Sequence, residues 1–197
     1  MRMPFDATDD LPDEALLARF ADGDAEAARV LTLRLTPRVM AHAARLLGNR
    51  AEAEDVTQEA MLRLWKQAHA WRSGEAKVTT WLYRVVANLC IDRHRRARGG
   101  AVTLDAIPEP ADARASVTEA MQDRARADAL QAALNALPAR QRQAVVLRHI
   151  DDLSNPEIAA IMQITVEAVE SLTSRGKRRL SAALAGRKEE LGYADET

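Results

Sequence analysis

A single cysteine, Cys90, stands in a chain of 197 residues. No internal disulfide can form from it, and a cysteine-rich zinc site is excluded. His42, His69, His94 and His149 show no metal-ligand spacing, so neither a metal nor a cofactor is expected. Aromatic residues make up only 4 % of the chain. With Ala, Leu, Arg and Glu abundant, that scarcity speaks against strands and for helices. No run approaches the ~20 apolar residues of a membrane span. The first residues, MRMPFDATDDLPDE, hold no apolar stretch of signal-peptide length. A cytoplasmic chain without membrane insertion is the expectation. No Gly-rich phosphate loop and no nucleophile paired with a base can be picked out, so an enzyme is not expected. Neither sign of charge dominates: 28 Lys and Arg oppose 29 Asp and Glu, for a net charge of -1. The total is silent about nucleic acid, and the placement of the charges decides. Arg93 to Arg98 is mostly arginine, and the stretch from Arg175 to Lys188 contains basic residues and no acidic one.

What is present is apolar residue in helical register. The apolar fraction of 47 % is enough to bury a core. From Gly99 to Ser116 the sequence GGAVTLDAIPEPADARAS combines a glycine pair with Pro-Glu-Pro and keeps no helical period, which is linker chemistry. It divides a helical block at 10–98 from another at 120–186, with a linker at 99–119 and a charged tail at 187–197. In the first block Asp10 and Pro12 suit a helix start, and Gly48-Asn49 breaks the pattern. The segment AEAEDVTQEAMLRLWKQ, 51–67, sets Ala53, Val56, Ala60 and Leu64 on one stripe. Asp55, Gln58, Glu59, Leu62 and Lys66 fall on the opposite face, so Leu62 is an apolar residue among polar ones. A polar loop is expected over Arg72 to Thr80, with Trp81 beginning the helix TWLYRVVANLCIDRHRRAR. Leu82, Val85, Val86 and Leu89 form its buried side, and Arg84, Asn88, Ile91 and Arg95 line another. Trp65, Trp71 and Trp81 are expected to pack in the core, and Cys90 to be a small buried residue.

The second block reads as about four helices. Pro138 opens one, and Ser154-Asn-Pro-Glu157 has the pattern of a capping box that begins another. Gln163 to Thr165 separate that short helix from a longer one starting near Val166, which is a helix-turn-helix pattern. In the longer helix Val166, Val169, Leu172, Gly176, Leu180 and Leu184 form the apolar side. Glu167, Glu170, Ser171, Ser174, Arg175 and Arg178 cluster opposite. Arginine can bond guanine, glutamate can accept from cytosine N4, and serine can do either.

Three of these segments together resemble the sigma-70 family of RNA polymerase sigma factors in its extracytoplasmic-function form. AEAEDVTQEAMLRLWKQ is similar to sigma region 2.2, TWLYRVVANLCIDRHRR to regions 2.3 and 2.4, and LPARQRQAVVLRHIDDLSNPEIAAIMQITVEAVESLTSRGKRRL to region 4. Their order matches, and a single linker joins regions 2 and 4. The resemblance implies an all-α chain of two small helical domains, region 2 and region 4, joined by a flexible linker. It implies that Asp55, Gln58, Glu59 and Leu62 bind the beta-prime clamp helices of core RNA polymerase. Leu62 is then the apolar contact inside a charged rim. Arg84, Asn88, Arg93, Arg95 and Arg96, with the loop Ser73 to Thr80, match the residues that take the −10 element as melted strand. Glu170, Ser171, Ser174, Arg175 and Arg178 match those that read the −35 element in the major groove. Contact of region 4 with the beta flap and control by an anti-sigma factor are implied too.

The sequence departs from the family pattern at three positions. Gln163 stands where the turn often has Gly, and must adopt the turn conformation at a cost or alter it. Gly176 interrupts the recognition helix on its apolar face, where close approach of a neighbouring helix would explain it. Glu170 stands where many relatives are basic, which alters the −35 sequence expected to be read. Two other functions fit parts of the chain. A LuxR-like activator would use the helix-turn-helix but leave the 51–67 helix unexplained. A helical adaptor that binds only protein would not need the arginine-rich helix ends.

Overall fold

Asp13 and Glu14 lie in the first turn of α1 (Asp13–Ala21), favourably placed at the positive end of its dipole. Pro12 occupies the N-cap with no side-chain cap, so the start rests on the proline and not on Asp10. The computed structural model describes residues 8, 10–72, 74, 77–99 and 117–185. Among them every regular element is a helix. Asp24 caps α2 (Ala25–Leu47) by accepting from the backbone N–H groups of Glu26 and Ala27 at 2.9 and 3.2 Å. Gly48 ends α2 in the left-handed region at φ 68°, and Asn49 accepts from the N–H of Glu52 at 3.0 Å to cap α3 (Arg50–Gln67). A short 3-10 turn, Ala68–Ala70, follows.

The next helix, α4 (Val78–Gly99), begins earlier than its local sequence indicates. Thr79 and Thr80 are helical, and Trp81 lies inside the helix and not at its start. The reason is a cap from elsewhere in the chain: the Glu14 carboxylate of α1 accepts the backbone N–H of Val78 at 3.0 Å. The tryptophans pack against the core without entering it. Trp71 meets Trp81 edge to face at 6.0 Å, and Phe20 meets Trp65 at 4.8 Å.

The second block comprises α5 (Val117–Asn135), α6 (Ala139–His149), α7 (Asn155–Met162) and α8 (Val166–Ala185). Of the expected linker at 99–119, Gly99 ends α4 and residues 117–119 begin α5, so the helices extend further into it than its composition indicates, while residues 100–116 lie outside the described residues, as do Gly186 and the tail at 187–197. At Ser154 the Glu157 carboxylate collects both the backbone N–H at 3.0 Å and the hydroxyl at 2.7 Å, which pins the start of α7. Gln163 does adopt the left-handed turn conformation, at φ 53° and ψ 50°.

Regions from both blocks share one core. Leu16, Leu31, Leu35, Val56, Leu64, Leu82 and Val86 are buried together with Leu134, Leu137, Val145 and Val146. Helix α6 lies against α2, and α7 lies against α4. Consequently α4 is buried on two sides. Leu82 and Val86 face the first block, while Tyr83 enters the cluster of Ala144, Leu147, Ile158, Ile161, Met162 and Val169 under the helix-turn-helix. Val85 and Leu89, placed on the buried side by periodicity, are only half-buried, and Ala87 and Cys90 are buried in addition.

Candidate nucleic-acid interface

Helix α3 buries Ala53, Val56, Ala60 and Leu64 completely, as its stripe dictates. The opposite face is turned outward as a ridge of Asp55, Gln58 and Leu62, with Leu62 47 % exposed. Glu59 is half-buried and receives Arg63 at 2.8 Å. A groove lies on each side of the ridge. One, of about 640 Å³, runs between α2 and α3 and is lined by Thr36, Met40, Met61 and Trp65 together with ridge residues. The other, of about 370 Å³, runs between α3 and α4 and is lined by Leu89, Asp92, Arg93 and Arg96 together with Asp55, Gln58, Glu59, Leu62 and Arg63. A ridge with an apolar knob between two grooves is suited to packing against another helix pair.

The second groove brings two expected sets of residues together. Arg93 reaches Asp55 at 3.3 Å, so the base of the −10 set touches the edge of the polymerase set. Arg95 pairs with Asp92 at 3.2 Å one turn away. Asn88, Arg95 and Arg96 are exposed on α4, beside Ile91, which is 48 % exposed. Arg84 is half-buried, and its buried Nε has no hydrogen-bond partner among the described residues. Ser73 lies outside the described residues, while Lys77 is turned to solvent. Arg63 and Asp92 were not among the expected residues. The i, i+4 spacing of Glu59 and Arg63, and the place of Asp92 one turn before Arg95 and Arg96, are the signals that point to them.

In the second block α8 turns its apolar side inward in part, with Val166, Leu172, Leu180 and Leu184 half-buried. Val169 and Gly176 are buried, whereas Glu170, Ser174, Arg175 and Arg178 are exposed and Ser171 is partly so. A Cβ on Gly176 would stand 2.5 Å from Val145 Cγ2 and 3.2 Å from the Gln141 carbonyl oxygen of α6. The glycine is therefore what lets α8 close onto α6. Lys177 and Arg179 are exposed too and widen the basic surface. At the helix start, hydrogen bonds from its own backbone N–H and from Thr165 lower the Glu167 carboxyl pKa and hold it ionised. Glu170 is within 3.4 Å of Asn155 Nδ2, which orients it toward the start of α7.

Burial shifts several titratable groups: it lowers the pKa of Arg142 and of His149, and it raises two others. The Tyr83 hydroxyl is pushed up to about 12 by desolvation, reinforced by the Asp151 charge. The Cys90 thiol is also pushed up to about 12 by desolvation, and Cys90 is buried, as expected of a small residue there. Among the described residues no helix is long and apolar enough to cross a membrane.

Comparison with known proteins identifies the family. Residues 31–99 match the family Sigma-70 region 2, and residues 127–180 match Sigma-70, region 4. The chain is 34 % identical over 171 residues or more to relatives such as the ECF RNA polymerase sigma factor SigM of Mycobacterium tuberculosis, with one alignment covering 86 % of this chain and 83 % of that protein. It is 37 % identical over 161 residues to the ECF RNA polymerase sigma factor SigE of Mycolicibacterium smegmatis, where it covers 80 % of this chain and spans 61 % of that protein's length. Its fold is similar to that of the sigma factor RpoE from Bartonella quintana, solved in complex with the anti-sigma factor NepR, with a TM-score of 0.63 and 24 % identity over 78 % of this chain and 94 % of that one. The chain belongs to the extracytoplasmic-function RNA polymerase sigma factors of the sigma-70 family, and it carries their regions 2 and 4.

Proposed function

We propose that this sigma factor directs initiation through three surfaces of two units, 10–98 and 120–186. The α3 ridge of Asp55, Gln58, Glu59 and Leu62 docks on the beta-prime clamp helices of core RNA polymerase. Arg84, Asn88, Arg93, Arg95 and Arg96 of α4 hold the melted −10 strand. There, positive charge tracks the phosphates, and Asn88 offers both a donor and an acceptor to an unpaired base. Glu170, Ser171, Ser174, Arg175 and Arg178 of α8 read the −35 duplex, and region 4 also meets the beta flap. The observation that carries this assignment is the division of α8, with Val169 and Gly176 buried and Glu170, Ser174, Arg175 and Arg178 exposed on one face. An activator or a protein-only adaptor leaves the region 2 match over residues 31–99 unexplained. An anti-sigma factor is proposed as the regulator, because a fold relative is bound by one.

The test is run-off transcription with core polymerase on a promoter upstream of the protein's own gene. A discrete transcript that requires the protein, and that is lost with Asn88→Ala or Arg175→Ala, supports the two reading sites. Wild-type transcript unaffected by either substitution overturns the residue assignment. Failure to co-elute with core polymerase overturns the docking surface.

A further inference from the structure

Helix α1 lies before the residues 31–99 that match region 2, yet it reaches the start of the strand-binding helix α4. Glu14 of α1 is half-buried, and its carboxylate oxygen accepts the backbone N–H of Val78 at 3.0 Å. Val78 is the first residue of α4 and is itself completely buried. Lys77 holds the N-cap place, since its carbonyl accepts the Trp81 N–H at 3.1 Å. A lysine side chain has only donors, so it cannot cap the first turn. Glu14 in turn is presented from a fixed platform. Leu16 and Leu17 are completely buried, and Arg34 of α2 donates to the Asp13 carboxylate at 2.6 Å and to the Leu11 carbonyl at 2.9 Å. At the other end of α1, Phe20 meets Trp65 of α3 edge to face.

What the cap holds is the head of a stripe. Trp81, Arg84, Asn88, Ile91 and Arg95 follow one another along α4 at steps of three and four residues, which places them on one side of the helix. Asn88, Ile91 and Arg95 are exposed, while Trp81 and Arg84 are half-buried. The bond from the Trp81 N–H to the Lys77 carbonyl closes the first turn. If that turn frays, Trp81 and then Arg84 leave the stripe, and Asn88 is left without them.

We infer that Glu14 is a positioning residue for −10 recognition: by capping α4 from α1 it holds Trp81 and Arg84 in register with Asn88, so that the stripe meets the melted strand as one preformed surface. The inference rests on the proposed −10 reading. Glu14 itself touches no DNA. A strand that meets a frayed first turn must order it on binding, and the cost of that ordering weakens the complex. A cap set beforehand removes that cost. The bond requires an oxygen at the right reach and not a charge, which makes its role separable from electrostatics.

Three variants of the full chain separate reach from charge. Glu14→Gln keeps a carbonyl oxygen at the same reach, Glu14→Asp keeps the charge one methylene short, and Glu14→Ala removes both. Amide hydrogen exchange at Val78 and Trp81 should quicken roughly fivefold in the Ala and Asp variants, the size of a lost helix cap, and stay near wild type in Gln. Exchange within α3 should not move. With core polymerase, opening of the promoter upstream of the protein's own gene is followed by 2-aminopurine fluorescence at −10. It should fall about fivefold in the same two variants, while co-elution with core polymerase is unchanged. If Glu14→Ala loses helix content by circular dichroism, the Asp and Gln variants carry the comparison. Faster Val78 exchange with unchanged opening overturns the positioning role. Unchanged Val78 exchange in Glu14→Ala overturns the cap, and so does a Gln variant as impaired as Asp. Opening that is indifferent to Asn88→Ala overturns the −10 reading and the inference with it. Opening that needs Asn88 but ignores all three Glu14 variants overturns the inference alone.

Discussion

Single side chains in this molecule show how local cost and long-range contact trade against each other. Gly176 sits in a helix interior, where Ala would be favoured by about 1 kcal/mol. The missing Cβ nevertheless lets Val145 and the Gln141 carbonyl approach. Val145 is β-branched and stiff, and the Gln141 oxygen belongs to a helix, so neither yields easily. Overpacking of roughly 1–3 kcal/mol exceeds the propensity gain, and Gly176→Ala should lower stability by about 1 kcal/mol in urea unfolding. Gln163 presents the opposite case. Its φ of 53° is left-handed, and Gly there relieves a strain of about 1–2 kcal/mol while adding some freedom to the unfolded chain. Gln163→Gly should raise the unfolding midpoint by a net ~0.5–1 kcal/mol equivalent. Leu62 is exposed, so Leu62→Asp should leave stability within about 0.5 kcal/mol. The same change should weaken core-polymerase binding, measured by co-elution or anisotropy, by roughly 1–3 kcal/mol if the ridge is the docking surface.

At the level of whole helices, α7 illustrates how an element is fixed from two directions. The Glu157 carboxyl is brought down to about 2, first by the Lys77 side chain from the other unit and then by the Ser154 hydroxyl and N–H. A depressed carboxyl contributes stability above its unfolded value, and that contribution fades as pH falls toward the folded value. In this protein that loss runs from the ordinary Glu value down to about pH 2. Lys77→Ala should move the Glu157 titration upward, seen by carboxyl NMR, while the Ser154 bonds keep it below the ordinary range. The capping pattern of Ser154 and Glu157 was legible in four consecutive residues because its partners are local. The same holds for the stripe of Ala53, Val56, Ala60 and Leu64, and for the two faces of α8, since periodicity records a burial direction. The start of α4 was not legible, because its cap is Glu14, 64 positions away. Nor was the second buried side of α4. Tyr83, Ala87 and Cys90 are covered by helices of the other unit, and a helix pattern read by itself cannot say what lies opposite.

Across the whole molecule, charge and architecture lead to the same expectation about DNA. With a net charge of -1 the chain has no global attraction to a polyanion, so affinity must come from the local arginines of α4 and α8. Arg93 and Arg95 already hold carboxylates, Asp55 and Asp92, and DNA phosphate must compete with those contacts. With α6 packed on α2 and α7 on α4, the two proposed reading faces are held on one compact body, so the gain from joining two weak sites along a promoter should be absent in the free chain. Free protein should therefore bind promoter duplex no more tightly than the non-specific range of about 10⁻⁴ to 10⁻⁶ M at physiological salt. Core polymerase, by holding the units apart, should restore the joint contact. Fluorescence anisotropy with labelled promoter DNA, with and without core polymerase, checks both statements. Arg175→Ala should weaken the polymerase-bound complex by about 1–3 kcal/mol if it reads a base edge. Tight and sequence-specific binding by the free chain would contradict the division of labour between the two units, because it would mean that one face alone suffices.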